Sequence, residues 1–405
     1  MFYEYLIISC FICCSYVKSS YLLKTDLKTP PMGWFLRDYH QNKEFCDTHK
    51  SLCASEQVVN YTVNQLIRKG LLDVGYQYIH IDSGWTNGRR NSLSLETDPE
   101  LFPSGILNLS LILWERNVKL GVTLLTDENS IIQDATSMTE FQVKYVSISG
   151  KRRTDDNENT LFEKYSIEQR IFGNSQFIAC SAGYRRQDAS LPFEQWEWDS
   201  ILHNCNSWTP YKEPALDWTN VLKAIESIRD HAQLLHAVVL PGKWNDMGPL
   251  TVGEKFLTWE ERRTQMAMWC LFASPLFILS DIENLDIFTL QLMKNPRLIA
   301  INQDKGGRMP RFIGTVSGVQ LWSRMLFDEQ NTWAIAFMNA GDSEQDVSVA
   351  LYQMWITRVC LDCTYFIRTD VYKGHQYDAI SIWEIFSVKV ASHDTNMYHI
   401  RSACS

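Results

Sequence analysis

The sequence predicts an α/β chain: a (β/α)8 barrel followed by an antiparallel β domain. Three observations carry the prediction. At 405 residues the chain is long enough for a barrel-sized core and a smaller second domain. From residue 30 to about 285, short apolar runs alternate with amphipathic stretches, the pattern of parallel strands joined by helices. After Asn302-Gln303-Asp304 the texture changes to alternating β-formers between turn residues, without long helical periods.

The barrel strands are expected at Pro31 to Trp34, Tyr76 to Ile81, Lys119 to Leu125, Lys144 to Ser149, Gln176 to Cys180, His203 to Trp208, Leu235 to Leu240 and Leu276 to Leu279. Helical patterns lie between them at Ser55 to Lys69, Gly105 to Arg116, Thr219 to Ala232 and Thr258 to Ser274. The last opens with Thr258-x-x-Glu261, a capping box, and closes before Pro275. In the second domain, Val319 to Met325, Trp333 to Asn339, Asp346 to Leu351 and Ile380 to Ile385 read as strands. The expected division is residues 1–20 as a signal peptide, 21–304 as the barrel and 305–405 as the carboxyl-terminal β domain.

One strand stands out. Tyr76 to Ile81 is mostly β-branched or aromatic and runs into Asp82-Ser83-Gly84-Trp85. A parallel barrel meets its ligands at the carboxyl ends of its strands, so Asp82 is the first residue expected to touch a substrate.

Composition narrows the function. Hydrophobic residues make up 45% of the chain, which argues for a globular protein. The net charge is −9 with no clustered basic face, which argues against nucleic acid and against an electrostatic membrane partner. The apolar run from Tyr5 to Val17 is short for a bilayer span and suits a secretory signal, although Glu4 stands where a basic start is usual. A buried amino-terminal helix is the alternative. No later stretch is long and apolar enough to span a membrane.

Removing the signal takes Cys10, Cys13 and Cys14, leaving eight cysteines. An even remainder in a secreted chain invites disulfides. Cys46/Cys53 and Cys360/Cys363 look like small loop staples, and Cys180 and Cys205 end two apolar stretches. Half a zinc site at Cys360-Leu-Asp-Cys363 is the other reading, but no second CxxC or His pair follows; no metal and no cofactor are expected. Cys270, inside an apolar helix, reads as an inert core thiol. Asn60-Tyr-Thr and Asn108-Leu-Ser are glycosylation sequons, consistent with a secretory chain.

A set of ordered motifs is more specific. Thr29-Pro-Pro-Met-Gly-Trp34, Cys53-Ala-Ser-Glu-Gln57, Gly75-Tyr-x-Tyr-x-x-Ile-Asp82, Asp98-Pro-x-x-Phe-Pro-x-Gly-Ile106, Lys119-Leu-Gly-Val122, Pro241-Gly-Lys-Trp-Asn-Asp246, Thr264-Gln-Met-Ala-Met-Trp269, Ser274-Pro-Leu-Phe277 and Ala300-Ile-Asn-Gln-Asp304 together resemble the lysosomal α-galactosidases and α-N-acetylgalactosaminidases, the melibiase-type glycoside hydrolases of family 27. The resemblance implies a (β/α)8 barrel with a β-sandwich-like carboxyl domain. It also implies a dimer and cleavage of terminal α-galactosides with retention of configuration.

Retention needs two carboxyls, one attacking the sugar and one exchanging a proton. The resemblance puts the nucleophile in a Lys-x-Asp-Gly-Cys element ending the fourth strand. Here that element is Ser147-Ile-Ser149-Gly150-Lys151, so Ser149 holds the nucleophile position and Ser147 the sugar-binding lysine position. A neutral hydroxyl neither attacks an oxocarbenium-like centre well nor stabilises its charge. After the sixth strand, Glu213 aligns with the acid/base aspartate and Thr209 with a substrate-gripping arginine. Glu213 keeps a carboxyl on a longer arm; an exposed loop glutamate is its other reading.

Other sugar contacts change too. The paired aspartates are Asp82 and Ser83, a stacking tryptophan is Arg37, a tyrosine is Thr123, and Asn-Asp-Pro-Asp becomes Asn245-Asp246-Met247-Gly248. Cys180-Ser181 resembles the N-acetylgalactosaminidase form of the loop that discriminates an N-acetyl group, which makes Ser181 a substrate-binding position. The family bridges expected near Asn42/Gly84 and Ile131/Lys151 have lost both ends, whereas Cys46/Cys53, Cys180/Cys205 and Cys360/Cys363 keep both. Paired loss suggests selection for folding in an oxidising compartment.

The expected function is therefore a secreted or lysosomal homologue that has lost the retaining mechanism. It would bind carbohydrate or a protein partner, as a homodimer or beside an active homologue. The alternative is an active α-glycosidase using a relocated carboxylate, with Asp127, Glu128, Asp155 and Asp156 available near the third and fourth strands.

Overall fold

The computed structural model describes residues 28–36, 53–82, 84–91, 94–126, 130–150, 176–180, 198–209, 217–328, 331–356 and 364–403. The first strands are β1 (Met32–Leu36) and β2 (Tyr78–Ile81), followed by a small antiparallel pair, β3 (Thr86–Asn91) and β4 (Ser94–Thr97). Six further parallel strands complete the main sheet: β5 (Lys119–Thr126), β6 (Tyr145–Gly150), β7 (Phe177–Cys180), β8 (Ser207–Trp208), β9 (Trp244–Asn245) and β10 (Leu276–Ile278). Their order is β10-β1-β2-β5-β6-β7-β8-β9. Leu250, just past β9, closes the ring: it bridges Ile278 in parallel, donating to the Phe277 carbonyl at 2.6 Å and accepting from Leu279 N at 2.9 Å. The sheet is thus a barrel, as expected.

Its interior is filled by rings. Tyr145 stacks on Phe177 at 4.9 Å and meets Phe277 edge-on at 5.1 Å, and Phe177 stacks on Trp244 at 6.0 Å. Such a layer packs the barrel solid and leaves chemistry to its rim. Gly121 on β5 is part of the fit: a Cβ there would come within 3.0 Å of both the His80 ring and Tyr145 Cβ.

The outer helices pack on the barrel, Glu56–Arg68 and Trp218–Asp230 by one face, and the helix Trp259–Leu271 is buried around its whole circumference from Thr264 onward. Helix α1 (Glu56–Arg68) is capped by Ser55, whose hydroxyl accepts from Val58 N at 3.2 Å. Next come α2 (Gly105–Glu115), α3 (Ile131–Glu140), α4 (Trp198–Asn204), α5 (Trp218–Asp230) and α6 (Ala232–Val238). Helix α7 (Trp259–Leu271) carries the expected Thr258/Glu261 capping box, and α8 (Ile287–Met293) and α9 (Pro296–Asn302) end the barrel segment.

Three strand expectations are corrected; in the carboxyl-terminal region Ile380 to Ile385 is a two-residue strand, Ile380–Ser381, then a turn, then the first residue of a strand that begins at Ile385. Leu235 to Leu240 falls largely in α6, with Ala232 and Leu235 turned into the core, and the seventh barrel strand is the dipeptide Trp244–Asn245. His203 to Trp208 divides into the end of α4 and the two-residue β8.

The carboxyl-terminal region contains β11 (Arg311–Val316), β12 (Val319–Leu326), β13 (Thr332–Asn339), β14 (Gln345–Ala350), β15 (Tyr365–Asp370), β16 (Ile380–Ser381), β17 (Ile385–Val390) and β18 (Thr395–Ser402). Six form an antiparallel sheet in the order β11-β12-β13-β18-β15-β16, and β14 pairs with β17. Val319, Trp333, Ile335 and Phe337 of the large sheet share a core with Val347, Val349 and Val388 of the small one. Arg324 on β12, fully buried, ties this region to the barrel through the Cys270 and Leu271 carbonyls (3.2 and 3.1 Å) and the Asp304 carboxylate (3.6 Å).

Candidate carbohydrate site at the barrel mouth

Asp82 is locked in place from both sides. Its amide donates to the Leu36 carbonyl at 3.0 Å, and its carbonyl accepts from Thr123 N at 3.1 Å, so the backbone just past β2 is pinned between β1 and β5. The side chain is held as firmly: Thr123 Oγ1 donates to Asp82 Oδ1 at 3.0 Å. His80 Nε2 lies 2.9 Å from the same hydroxyl. Thr123 has one hydroxyl proton and gives it to Asp82, so His80 must carry its proton on Nε2 and donate it to Thr123. The result is a directional relay, His80 to Thr123 to Asp82.

The relay stays neutral at its inner end. His80 is stacked on Phe35 and edge-on to Tyr145, each at 5.0 Å, and its Nδ1 has no partner. Burial pushes the imidazole down to about 3. Trp85, fully buried, fastens the same place by donating to the Thr123 carbonyl at 2.9 Å.

Pairing registers carry the rim round the barrel. Thr123 lies opposite Ser147, Ser147 opposite Ala179, Ala179 opposite Ser207, and Ser207 opposite Trp244. Four short side chains therefore form one continuous row beside Asp82. Ser147 is half-buried in that row, and Ser149 lies two residues further along β6, its backbone opposite Leu125. The sequence of β6, Tyr145 to Gly150, contains no acid.

On the far side of the mouth, Thr209 is half-buried just past β8 and Asp246 follows β9. The Asp246 amide donates to the Trp208 carbonyl at 2.8 Å, and its Oδ1 accepts from Gly248 N at 2.9 Å. Desolvation pushes the carboxyl up to about 6, against the opposing pull of that amide. Burial and the nearby Asp246 charge together hold the Tyr145 phenol well above its ordinary range. Asn245 is completely buried, and neither end of its side-chain amide has a partner. Lys243 is buried below, donating to the Cys205 carbonyl at 2.6 Å, and burial lowers its ammonium to about 7.

Cys180 and Cys205 form the expected disulfide, which ties the end of β7 to the approach to β8. Cys53 is also disulfide-bonded, and Cys270 is a free buried thiol whose titration burial displaces upward. Cys46, Cys360, Cys363, Ser83, Ser181 and Glu213 lie outside the described residues, as do Arg37, Asp127, Glu128, Asp155 and Asp156. Of the expected site, the fold brings together Asp82, Ser147, the backbone of Ser149 and Thr209. It adds His80, to which the sequence assigns no role, and gives Thr123 and Asp246, which the sequence shows only within changed sugar-contact positions, bonded places at the mouth. A correctly placed seventh strand would have flagged Asp246 as a strand-end acid. Among the described residues no cluster of three His, Cys, Asp or Glu could hold a metal ion, and no helix is long and apolar enough to cross a membrane.

Comparison with known proteins follows the same outline. Residues 29–304 match the family model described as alpha galactosidase A. The α-N-acetylgalactosaminidase of Rattus norvegicus is 30% identical over 315 residues, 75% of this chain and 75% of that protein. Human α-galactosidase A is 26% identical over 325 residues, 77% of this chain and 74% of that protein. The structure of α-galactosidase I from Mortierella vinacea matches with a TM-score of 0.76 at 21% identity, over 94% of this chain and 99% of that one. The Saccharomyces cerevisiae α-galactosidase solved with raffinose matches with a TM-score of 0.76 at 19% identity, over 93% of this chain and 98% of that one.

Proposed function

Because the chain belongs to the alpha galactosidase A family, we propose that it keeps the family's barrel as a carbohydrate-binding scaffold and has given up hydrolysis. The observation that carries this reading is β6, which ends in Ser147-Ile-Ser149 where the family resemblance calls for a lysine and a nucleophilic aspartate. Retaining chemistry needs a carboxylate there, and a hydroxyl without a base cannot substitute for it. Asp82 remains an oriented carboxylate at the end of a barrel strand, its Oδ1 fixed by the Thr123 hydroxyl, where a sugar ligand would meet the barrel. The ligand is a terminal α-galactoside or α-N-acetylgalactosaminide on a glycoconjugate. The protein travels the secretory pathway to the lysosome or the exterior, in keeping with its disulfide and its sequons, and works as a homodimer or beside an active relative. Residues 21–304 and 305–405 are its two domains, joined at Asp304. Glycan-array binding tests the reading. The wild type should retain α-galactosyl or α-N-acetylgalactosaminyl glycans and Asp82→Asn should lose them; a wild type that binds neither class contradicts it.

A second reading rests on Asp246. A carboxyl raised to about 6 at a barrel mouth is a plausible proton donor, so a hydrolase with relocated acids would use it. In that case Asp246→Asn would abolish turnover of a chromogenic α-galactoside.

A further inference from the structure

Helix α2 turns large apolar side chains to water as well as to the barrel, and Glu115, in line with Asn108, is the one charge on its outer face. Ile106, Leu109 and Leu113 are buried, yet Leu107, Leu111, Ile112 and Trp114 are 38%, 40%, 41% and 59% exposed. At about 100° per residue, Leu107, Leu111 and Trp114 form one stripe, and Ile112 lies across the outer face from it. Asn108 sits between the two, on the middle of that face. It is exposed, its amide nitrogen donating to the Ser104 carbonyl at 2.9 Å. Asn108-Leu109-Ser110 is a glycosylation sequon. The adjoining helix α1, joined to α2 where Arg116 donates to Asn64 Oδ1, presents a second sequon asparagine, Asn60, in line with exposed Asn64 and Ile67.

We propose that an N-linked glycan on Asn108 is the permanent cover of the outer apolar face of α2. The inference rests on the secretory assignment above. An exposed apolar face of this kind ordinarily marks a contact surface, and here the centre of the face carries the attachment atom of a bulky, water-bearing group. In the transfer, Asn108 Nδ2 bonds to the anomeric carbon of an oligosaccharide carried on a lipid diphosphate. The lipid diphosphate leaves with the electron pair of the broken C–O bond, and the amide gives up one proton. The second amide proton remains and still reaches the Ser104 carbonyl, so the helix need not rearrange. Timing follows from Ser110. Its hydroxyl, the third sequon residue, is buried within 2.9 Å of the Leu107 carbonyl and 2.7 Å of the Phe141 carbonyl, so transfer precedes the packing of α2 on the barrel. The same cover excludes this face from any dimer contact.

The test is site-resolved glycopeptide mapping of the full chain secreted from eukaryotic cells, with Asn108→Gln and with native wild type treated with a glycan-releasing amidase. Expected is a glycan on Asn108, a loss of one glycan's mass in Asn108→Gln, and, on either removal, increased binding of an apolar-surface dye and a shift to larger species in sedimentation. Replacing Leu111 and Ile112 with Lys in Asn108→Gln should reverse the last two effects. Amidase treatment keeps the test decisive if the variant fails to fold. A secreted chain glycosylated at Asn60 and bare at Asn108 overturns the proposal and leaves the secretory assignment standing. A chain retained in the cytosol without glycans overturns both. Dimers that bury α2 with Asn108 unmodified, or removal without effect on dye binding or sedimentation, also overturn it.

Discussion

Two polar assemblies in this molecule use similar groups and differ in how their carboxylates are bonded. At the junction of barrel and β region, Asp304 Oδ2 accepts from the amides of Phe327 and Asp328 at 2.6 and 2.9 Å, Oδ1 accepts from Gly306 N at 3.1 Å, and Arg324 stands against it. At the barrel mouth, Asp246 has one backbone donor and Asn245 beside it has no partner at either end of its amide. A carboxylate enclosed by three backbone amides is bonded into the fold, whereas one with a single backbone donor at a strand end has bonding capacity to spare. The difference sets a carboxylate bonded into the fold apart from one with a single backbone donor.

The largest effect should come from breaking the closed assembly. Arg324→Ala leaves the Asp304 carboxylate buried without its cation and should lower unfolding free energy by about 3–5 kcal/mol, read from the urea midpoint. The open assembly should respond in the opposite sense. The fold favours the protonated form of Asp246, so its contribution is fully present below pH 3.8 and is lost as the pH rises through about 6. Asp246→Asn should match the wild type in stability at the acid end and exceed it by about 2 kcal/mol at neutral pH, after allowance for partial exposure. Denaturation curves at both pH values decide this; a variant weaker than wild type at neutral pH would show that Asp246 is structural. Smaller again is the relay. Thr123→Val removes the hydroxyl between His80 and Asp82 and should cost about 1–2 kcal/mol in stability and a similar amount in glycan affinity, with Thr123→Ser restoring most of both.

Sequence reading reached the fold where strands were long enough to show a pattern. β2, β5, β6 and β7 sit at the ends of apolar runs and were found within two residues. It failed at β9, which is two residues long, and took the apolar run Leu235 to Leu240 for the strand although most of it is helical. A short run of this kind has no period that tells strand from buried helix. Asp246 is legible as part of the changed Asn245-Asp246-Met247-Gly248 motif, and its place at a strand end is not, for that reason. Thr123 reads as a lost tyrosine and His80 as one residue of a strand, because the bonds that link His80 to Thr123 and Thr123 to Asp82 join residues 43 and 41 apart and leave no local trace. Asp82 itself was legible, since an acid closing an apolar strand is a local signal.

On the function proposed above, the barrel binds glycans without cutting them. The most direct test of that function is prolonged incubation of the purified protein with chromogenic α-galactoside and α-N-acetylgalactosaminide substrates at acid pH. No release above a Ser149→Ala control is expected, with binding of the same glycans retained. Turnover by the wild type that disappears in Glu213→Gln or Asp246→Asn would contradict it.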